Sequence, residues 1–200
     1  MDGRQTAFHW AYGELFSRYY PMVRMRKESI LCLTEKADRI VTAGGVTAWQ
    51  DLALYLITRF CEPVRAHETA RVHLLDRHVH GQLPYAAMNL RIDTSDAVIS
   101  ASQRWIARHY ARPQPVETMA ERSGPNARTF ARRFKAVTGR SPIDYVQALR
   151  VEEAKNLLEN GALPPDEIAA RVGYEDGASF RRTFRSRVGL SPAAFRRTFA

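Results

Sequence analysis

Between residues 29 and 45 the chain alternates in two β-like runs, ILCLT and RIVTAGG, joined by the polar EKAD, a pattern that predicts a hairpin. Helical periodicity flanks it over residues 6–19 and 47–73, and no strand pattern follows Ser95. The polar RIDTSD at 91–96 supplies a boundary and a helix N-cap, which places a domain junction near Asp93. The first half thus offers a hairpin and two long helices, the second apolar at Leu52, Leu54, Leu56 and Ile57, with no parallel strands for them to cover.

The second half repeats itself. Residues 119–145 (MAERSGPNARTFARRFKAVTGRSPIDY) align with 168–195 (IAARVGYEDGASFRRTFRSRVGLSPAAF). Phe130 and Phe180, Phe134 and Phe184, Gly139 and Gly189, Ser141 and Ser191, and Pro142 and Pro192 all share an offset of 50, whereas Ala120 and Ala169 stand 49 apart, so one residue is inserted in the second turn. In each copy a short helix with a small Ala runs into a Gly turn, at Gly124 or Gly173, and a second helix opens at an N-cap, Asn126 or Asp176. Phe130, Phe134 and Val137 form the buried stripe of one second helix, and Phe180, Phe184 and Val188 that of the other. Arg128, Ala131, Arg132 and Lys135 fall on the opposite face, as do Ala178, Arg181, Arg182 and Arg185. Helix, Gly turn and cationic helix describe a helix-turn-helix. Between the copies, Ser141 as N-cap, Pro142 at the first helical position and an apolar face of Val146, Leu149, Leu157 and Leu158 predict one helix to residue 160. It would span roughly 28 Å, close to the roughly 34 Å between successive major-groove faces on one side of DNA.

Charge follows the same division. The 200 residues carry a net +9; residues 1–95 hold 12 Lys and Arg against 10 Asp and Glu (+2), and residues 96–200 hold 18 against 11 (+7). A polyanion is the natural partner of the second half. A basic face is ordinarily just a solvated one, but both copies keep an arginine at one register, Arg132 and Arg182, beside small residues that let a helix enter a groove. An arginine fork matches guanine O6 and N7, while Lys135 or Arg187 would neutralise phosphates. A hydrophobic share of 45% with only 11 Gly and 10 Pro excludes disordered and collagen-like classes. Cys32 and Cys61 make neither a disulfide framework nor a zinc spacing, the apolar run at 52–57 is too short to span a bilayer, and no leader pattern opens the chain. No membrane role is expected, and the expected location is the cytoplasm.

The pieces ARTFARRFKAVTGRSPIDYVQALR, IAARVGY and SFRRTFRSRVGLSPAAFRRTF resemble the AraC family of bacterial transcription regulators, over about residues 95–200. The resemblance implies an all-helical DNA-binding domain at 94–200, two helix-turn-helix units joined by a long helix, with recognition helices at about 126–137 and 177–188. The expected partner is double-stranded promoter or operator DNA, with an RNA polymerase contact; the expected binding set is Asn126, Arg128, Thr129, Ala131, Arg132, Lys135, Ala178, Ser179, Arg181, Arg182 and Arg185. DGRQTAFHW, RIVTAGGVTAWQDLALYLI and GQLPYA resemble the C-terminal portion of a class I glutamine-amidotransferase-like (PfpI-type) sensor domain. That resemblance makes residues 1–93 a partial α/β, flavodoxin-like segment whose parallel core would lie upstream of Met1. It also implies a small nitrogenous effector, and helices left without central strands to cover expose apolar surface, so self-association through the first half is expected. The expected fold class is therefore mainly α, with a partial α/β segment in front.

No catalytic residue, metal or cofactor is expected. His9 sits where enzymatic relatives of the sensor keep a histidine, but neither Cys32 nor Cys61 sits at a nucleophile elbow. His67, His73, His78 and His80 crowd one stretch without two at i and i+4, and Gly44-Gly45 lacks the rest of a phosphate loop, so both read as an ordinary connector and turn. The rival readings are a PfpI-type hydrolase or amidase carrying a DNA module, and an adaptor whose basic face meets an acidic protein.

Overall fold

The computed structural model describes residues 1–34, 39–87, 95–124 and 126–200. The chain forms two compact units, Met1–Ala86 and Ala87–Ala200, and the junction expected near Asp93 lies outside the described residues.

In the first unit the hairpin is present as β3 (Leu31–Leu33) against β4 (Val41–Ala43), antiparallel with Cys32 opposite Thr42. The helix expected over residues 6–19 begins late. Thr6 belongs instead to β1 (Gln5–Thr6), which pairs in parallel with β2 (Arg24–Met25), and only α1 (Gly13–Tyr19) is α-helical, preceded by one 3-10 turn at Trp10–Tyr12. The backbone there has other partners: Arg24 N–H bonds the Arg4 carbonyl, Arg26 N–H that of Thr6, and Ala7 N–H the Thr42 hydroxyl at 2.9 Å. A short parallel pair therefore exists where none was expected. The helix expected over 47–73 is two, α2 (Ala48–Phe60) and α3 (Pro63–Val72). Pro63 has no N–H to donate and holds Glu62 extended at φ −138°, so α2 closes at Cys61. Burial is sparse: Leu54 is enclosed, while Trp49, Leu56 and Phe60 of α2 are exposed.

The second unit is all helical among the described residues. α4 (Ala97–His109) starts at a cap within the expected 91–96 segment, Asp96, whose carboxylate accepts from Val98 and Ile99 N–H. It is followed by α5 (Pro115–Ser123), α6 (Ala127–Thr138), α7 (Pro142–Asn160), α8 (Pro165–Arg171), α9 (Gly177–Val188) and α10 (Pro192–Phe199). The sequence repeat is a repeat of packing. In the first copy Phe130, Phe134 and Tyr145 step past one another at ring separations of 5.6 and 5.3 Å; in the second Phe180, Phe184 and Phe195 do so at 5.6 and 5.6 Å. The stripes part at their last member, since Val188 is buried but Val137 only half-buried, and Thr138, at the place of Val188, satisfies its hydroxyl on the Phe134 carbonyl.

Two cores result, and α7 serves both. Tyr145, Val146 and Leu149 belong to the first, Val151, Ala154 and Leu158 to the second, and Tyr110 packs against each. Where the stripe of α7 passes between them stands Arg150, 8% exposed. Its Nε donates to the Tyr110 carbonyl at 2.8 Å, its Nη2 to that of Arg112 at 3.2 Å, and its guanidinium lies 5.4 Å from the centre of the Tyr174 ring. Burial holds this guanidinium below its ordinary pKa, and among the described residues no carboxylate offsets that cost. Tyr174 lies in the second turn, the one longer by a residue; its hydroxyl donates to Gln147 of α7, and the turn reaches α4's end through Gly173. At φ +90° Gly173 would bring a Cβ to 2.5 Å from the Ala111 carbonyl, so only glycine fits.

Arg150→Ala should lower the stability of the second unit by about 2–4 kcal/mol, because two carbonyls lose charged donors and a cavity opens. Arg150→Met should restore part of that loss by refilling the space. Urea denaturation followed by circular dichroism checks both, and an unchanged midpoint for Arg150→Ala would remove the residue from this role.

Candidate nucleic-acid interface

α6 and α9 are built alike. Each has 12 residues, opening where Asn126 Oδ1 accepts from Thr129 N–H at 3.0 Å or Asp176 Oδ1 from Ser179 N–H at 2.7 Å. Each closes on a left-handed glycine, Gly139 or Gly189, whose N–H bonds the carbonyl of Lys135 or Arg185. With both ends pinned and the phenylalanine stripe buried, the opposite face is forced outward. Arg128, Arg132, Lys135, Arg182 and Arg185 are exposed there, and their side chains make no hydrogen bond or ion pair among the described residues. Ala131 and Ser179 are half-buried between them, Thr129 and Ala178 exposed, and Asn126 keeps its Nδ2 donor free of the cap. The structure thus brings each half of the expected set onto one helix face.

Three arginines of the same helices are taken. Arg133 forms a two-pronged pair with Asp96, Nε to Oδ2 at 2.6 Å and Nη2 to Oδ1 at 2.9 Å. The bond from Arg133 holds the Asp96 carboxyl below its usual range, so this tie is complete above the ordinary carboxylate pKa of about 4 and is lost as pH falls through the depressed value. Arg187 pairs with Asp144 of α7 at 2.5 Å, which corrects the expectation that it neutralises phosphate: its side chain leans back onto the scaffold and is only 28% exposed. Arg181 pairs with Asp166 of α8 at 2.5 Å. These carboxylates, 37, 43 and 15 residues away, have no signal in local spacing. A plain structural role for Lys135 and Arg185 also exists, since cations in a last helical turn offset the helix dipole.

In the first unit, His9 is a cap whose Nδ1 accepts from Ala11 N–H. The Gly44-Gly45 pair is a packing device: a Cβ on Gly44 would lie 2.3 Å from Gln82 Nε2, and Gln82, 3% exposed, bonds Trp10 N–H and the carbonyls of Phe8 and Ser29. Among the clustered histidines, His67 turns back to the Pro63 carbonyl and His78 is clamped by Asp51, Nδ1 to Oδ2 at 2.7 Å. His78, His9, Trp10, Thr47 and Tyr85 line a cavity of about 240 Å³ that the sequence did not announce. Among the described residues no group of three or more His, Cys, Asp or Glu side chains could hold a metal.

A family described as a helix-turn-helix domain matches residues 119–198. The chain is 28% identical over 197 residues to the HTH-type transcriptional regulator CdhR of Pseudomonas aeruginosa, covering 96% of this chain and 56% of that protein. It is 29% identical over 126 residues to an AraC-like transcription regulator of Streptomyces lividans, 63% of this chain and 41% of that one. Among solved structures, the DNA-binding domain of AdpA, the global transcriptional factor, in complex with a target DNA, matches at 35% identity and a TM-score of 0.50. It covers 52% of this chain and 94% of that domain. The second unit is thus similar to the AraC-type regulators. Its paired AraC-type helix-turn-helix units are those anticipated from the repeat. The chain spans about half the length of the relatives it matches, and the match to CdhR extends through the first unit as well.

Proposed function

We propose that this chain is a sequence-specific DNA-binding regulator of transcription that reads two successive major-groove segments with α6 and α9. The observation that carries the reading is the equivalent placement of Arg132 and Arg182. Each is exposed and unpaired among the described residues, in a unit similar to one solved with its target DNA. Each guanidinium has a free fork for guanine O6 and N7. Arg128, Lys135, Ala178, Ser179, Arg185 and the capped ends at Asn126 and Thr129 complete the two surfaces, Lys135 and Arg185 acting on phosphates.

Neither cysteine of this chain favours the hydrolase alternative. Cys32 is buried in β3, where burial pushes its thiol up, and Cys61 stands exposed at the end of α2. We read residues 1–93 as part of an amidotransferase-like sensor acting on a cytoplasmic regulator. In support, the CdhR match continues through this unit, and its cavity, lined by imidazole, hydroxyl and rings, suits a small polar effector. The exposed Trp49, Leu56 and Phe60 of α2 favour self-association through this unit.

Arg132→Ala and Arg182→Ala should each relax base preference at one position by about 1–3 kcal/mol, whereas Lys135→Ala should weaken binding to all sequences alike and flatten its salt dependence. Selection from randomised duplexes checks this, and an Arg132→Ala variant that keeps the parent motif at full strength would contradict it. In sedimentation at micromolar concentration the chain should run as a dimer or larger, and a Trp49→Asp, Phe60→Asp double variant should run as a monomer. A monomeric parent chain would contradict association through α2.

A further inference from the structure

The two helix-turn-helix copies share most of their buried positions, so a set of residues at the surface that changes together between them points to a difference in task. Asp166, Gly177 and Arg181 form such a set, standing where the first copy has Glu117, Ala127 and Ala131. In the second copy Arg181 Nη1 donates to Asp166 Oδ1 at 2.5 Å, and the pair lies against Gly177. A Cβ on Gly177 would come within 2.3 Å of Asp166 Oδ1 and 3.0 Å of Arg181 Nη1. Gly177 has no left-handed φ, so space rather than backbone conformation accounts for it. In the first copy Ala127 fills that place, Ala131 has no side chain to reach a carboxylate, and Glu117, Ala120, Glu121, Gly124 and Ala127 border an open groove.

Stability does not explain the arrangement. The pair is exposed, 51% at Arg181 and 73% at Asp166, where ion pairs contribute little, and glycine in the first turn disfavours the helix that it opens. The sequence accepts a poorer helix to seat a weak surface pair on the face that the proposed function turns toward DNA.

We infer that Asp166 is a specificity-determining positioning residue: by holding Arg181 through Nη1, it leaves Nε and Nη2 as the fork presented to a base. Arginine has five donors and a long flexible stem, so fixing one nitrogen orients the guanidinium before contact and reduces what must be ordered on binding. Once DNA covers the site, water leaves and the pair strengthens. The second recognition helix then reads one base pair more than the first, whose Ala131 has no donor.

This inference rests on the DNA-reading function proposed above, and one experiment separates the two. The full chain and its Asp166→Ala, Gly177→Ala and Arg181→Ala variants are used to select from randomised duplexes, and the enriched sequences are ranked by competition binding. All three variants should lose about ten-fold discrimination at the same single base pair and keep the rest of the motif, and Asp166→Ala combined with Arg181→Ala should lose no more. Gly177→Ala guards against a folding artefact, because alanine is the better helix former. If Asp166→Ala keeps the parent motif at every position, or only tightens binding to all sequences, Asp166 merely repels phosphate and the inference is wrong. If the parent chain enriches no motif, the DNA-reading function itself falls, and the inference with it.

Discussion

One buried cation holds the second unit in register. Arg150 stands where the apolar face of α7 leaves one core for the other, and it ties the end of α4, the linker helix and Tyr174 of the second turn to one point. A buried guanidinium without a carboxylate is costly unless its donors are met, so the carbonyls of Tyr110 and Arg112 must stay where they are. Their position in turn fixes Gly173 against Ala111 and the angle at which α8 hands over to α9. The two recognition helices are therefore parts of one body, with α7 as its spine.

On that spine, carboxylates sort the arginines. Asp96 and Asp144 draw Arg133 and Arg187 back to the scaffold, which anchors α6 and α9 and leaves Arg128, Arg132, Arg182 and Arg185 outward. Net positive charge supplies attraction to any duplex, but the division into anchored and free forks gives a surface with a pattern. Without it the basic face would be the ordinary solvated one.

Much of this unit was legible in the sequence, because it is specified by local rules applied twice. The caps at Asn126, Asp176 and Ser141, the glycines after each short helix and the phenylalanine stripes all act within a few residues, and the 50-residue offset exposes them by repetition. What was not legible is long-range: the partners of Arg133, Arg181 and Arg187, and the bonds of Arg150 to carbonyls about 40 residues away. The first unit was read less well for the same reason. Its strands are two or three residues long, too short for periodicity, and Gln82 ties together Phe8, Trp10 and Ser29 across more than 50 residues. The break between α2 and α3 is different, since Pro63 announces it locally and the apolar run before it masks the signal.

If α7 makes one body of two readers, a single chain must span two adjacent major-groove faces. Hydroxyl-radical footprinting on the selected duplex, with the number of bound chains counted on the same complex, measures this directly. The expected result is two protected patches on one face of the DNA, about one helical turn or roughly 34 Å apart, with one chain bound. A single patch per chain, the second appearing only when another chain binds, would contradict it.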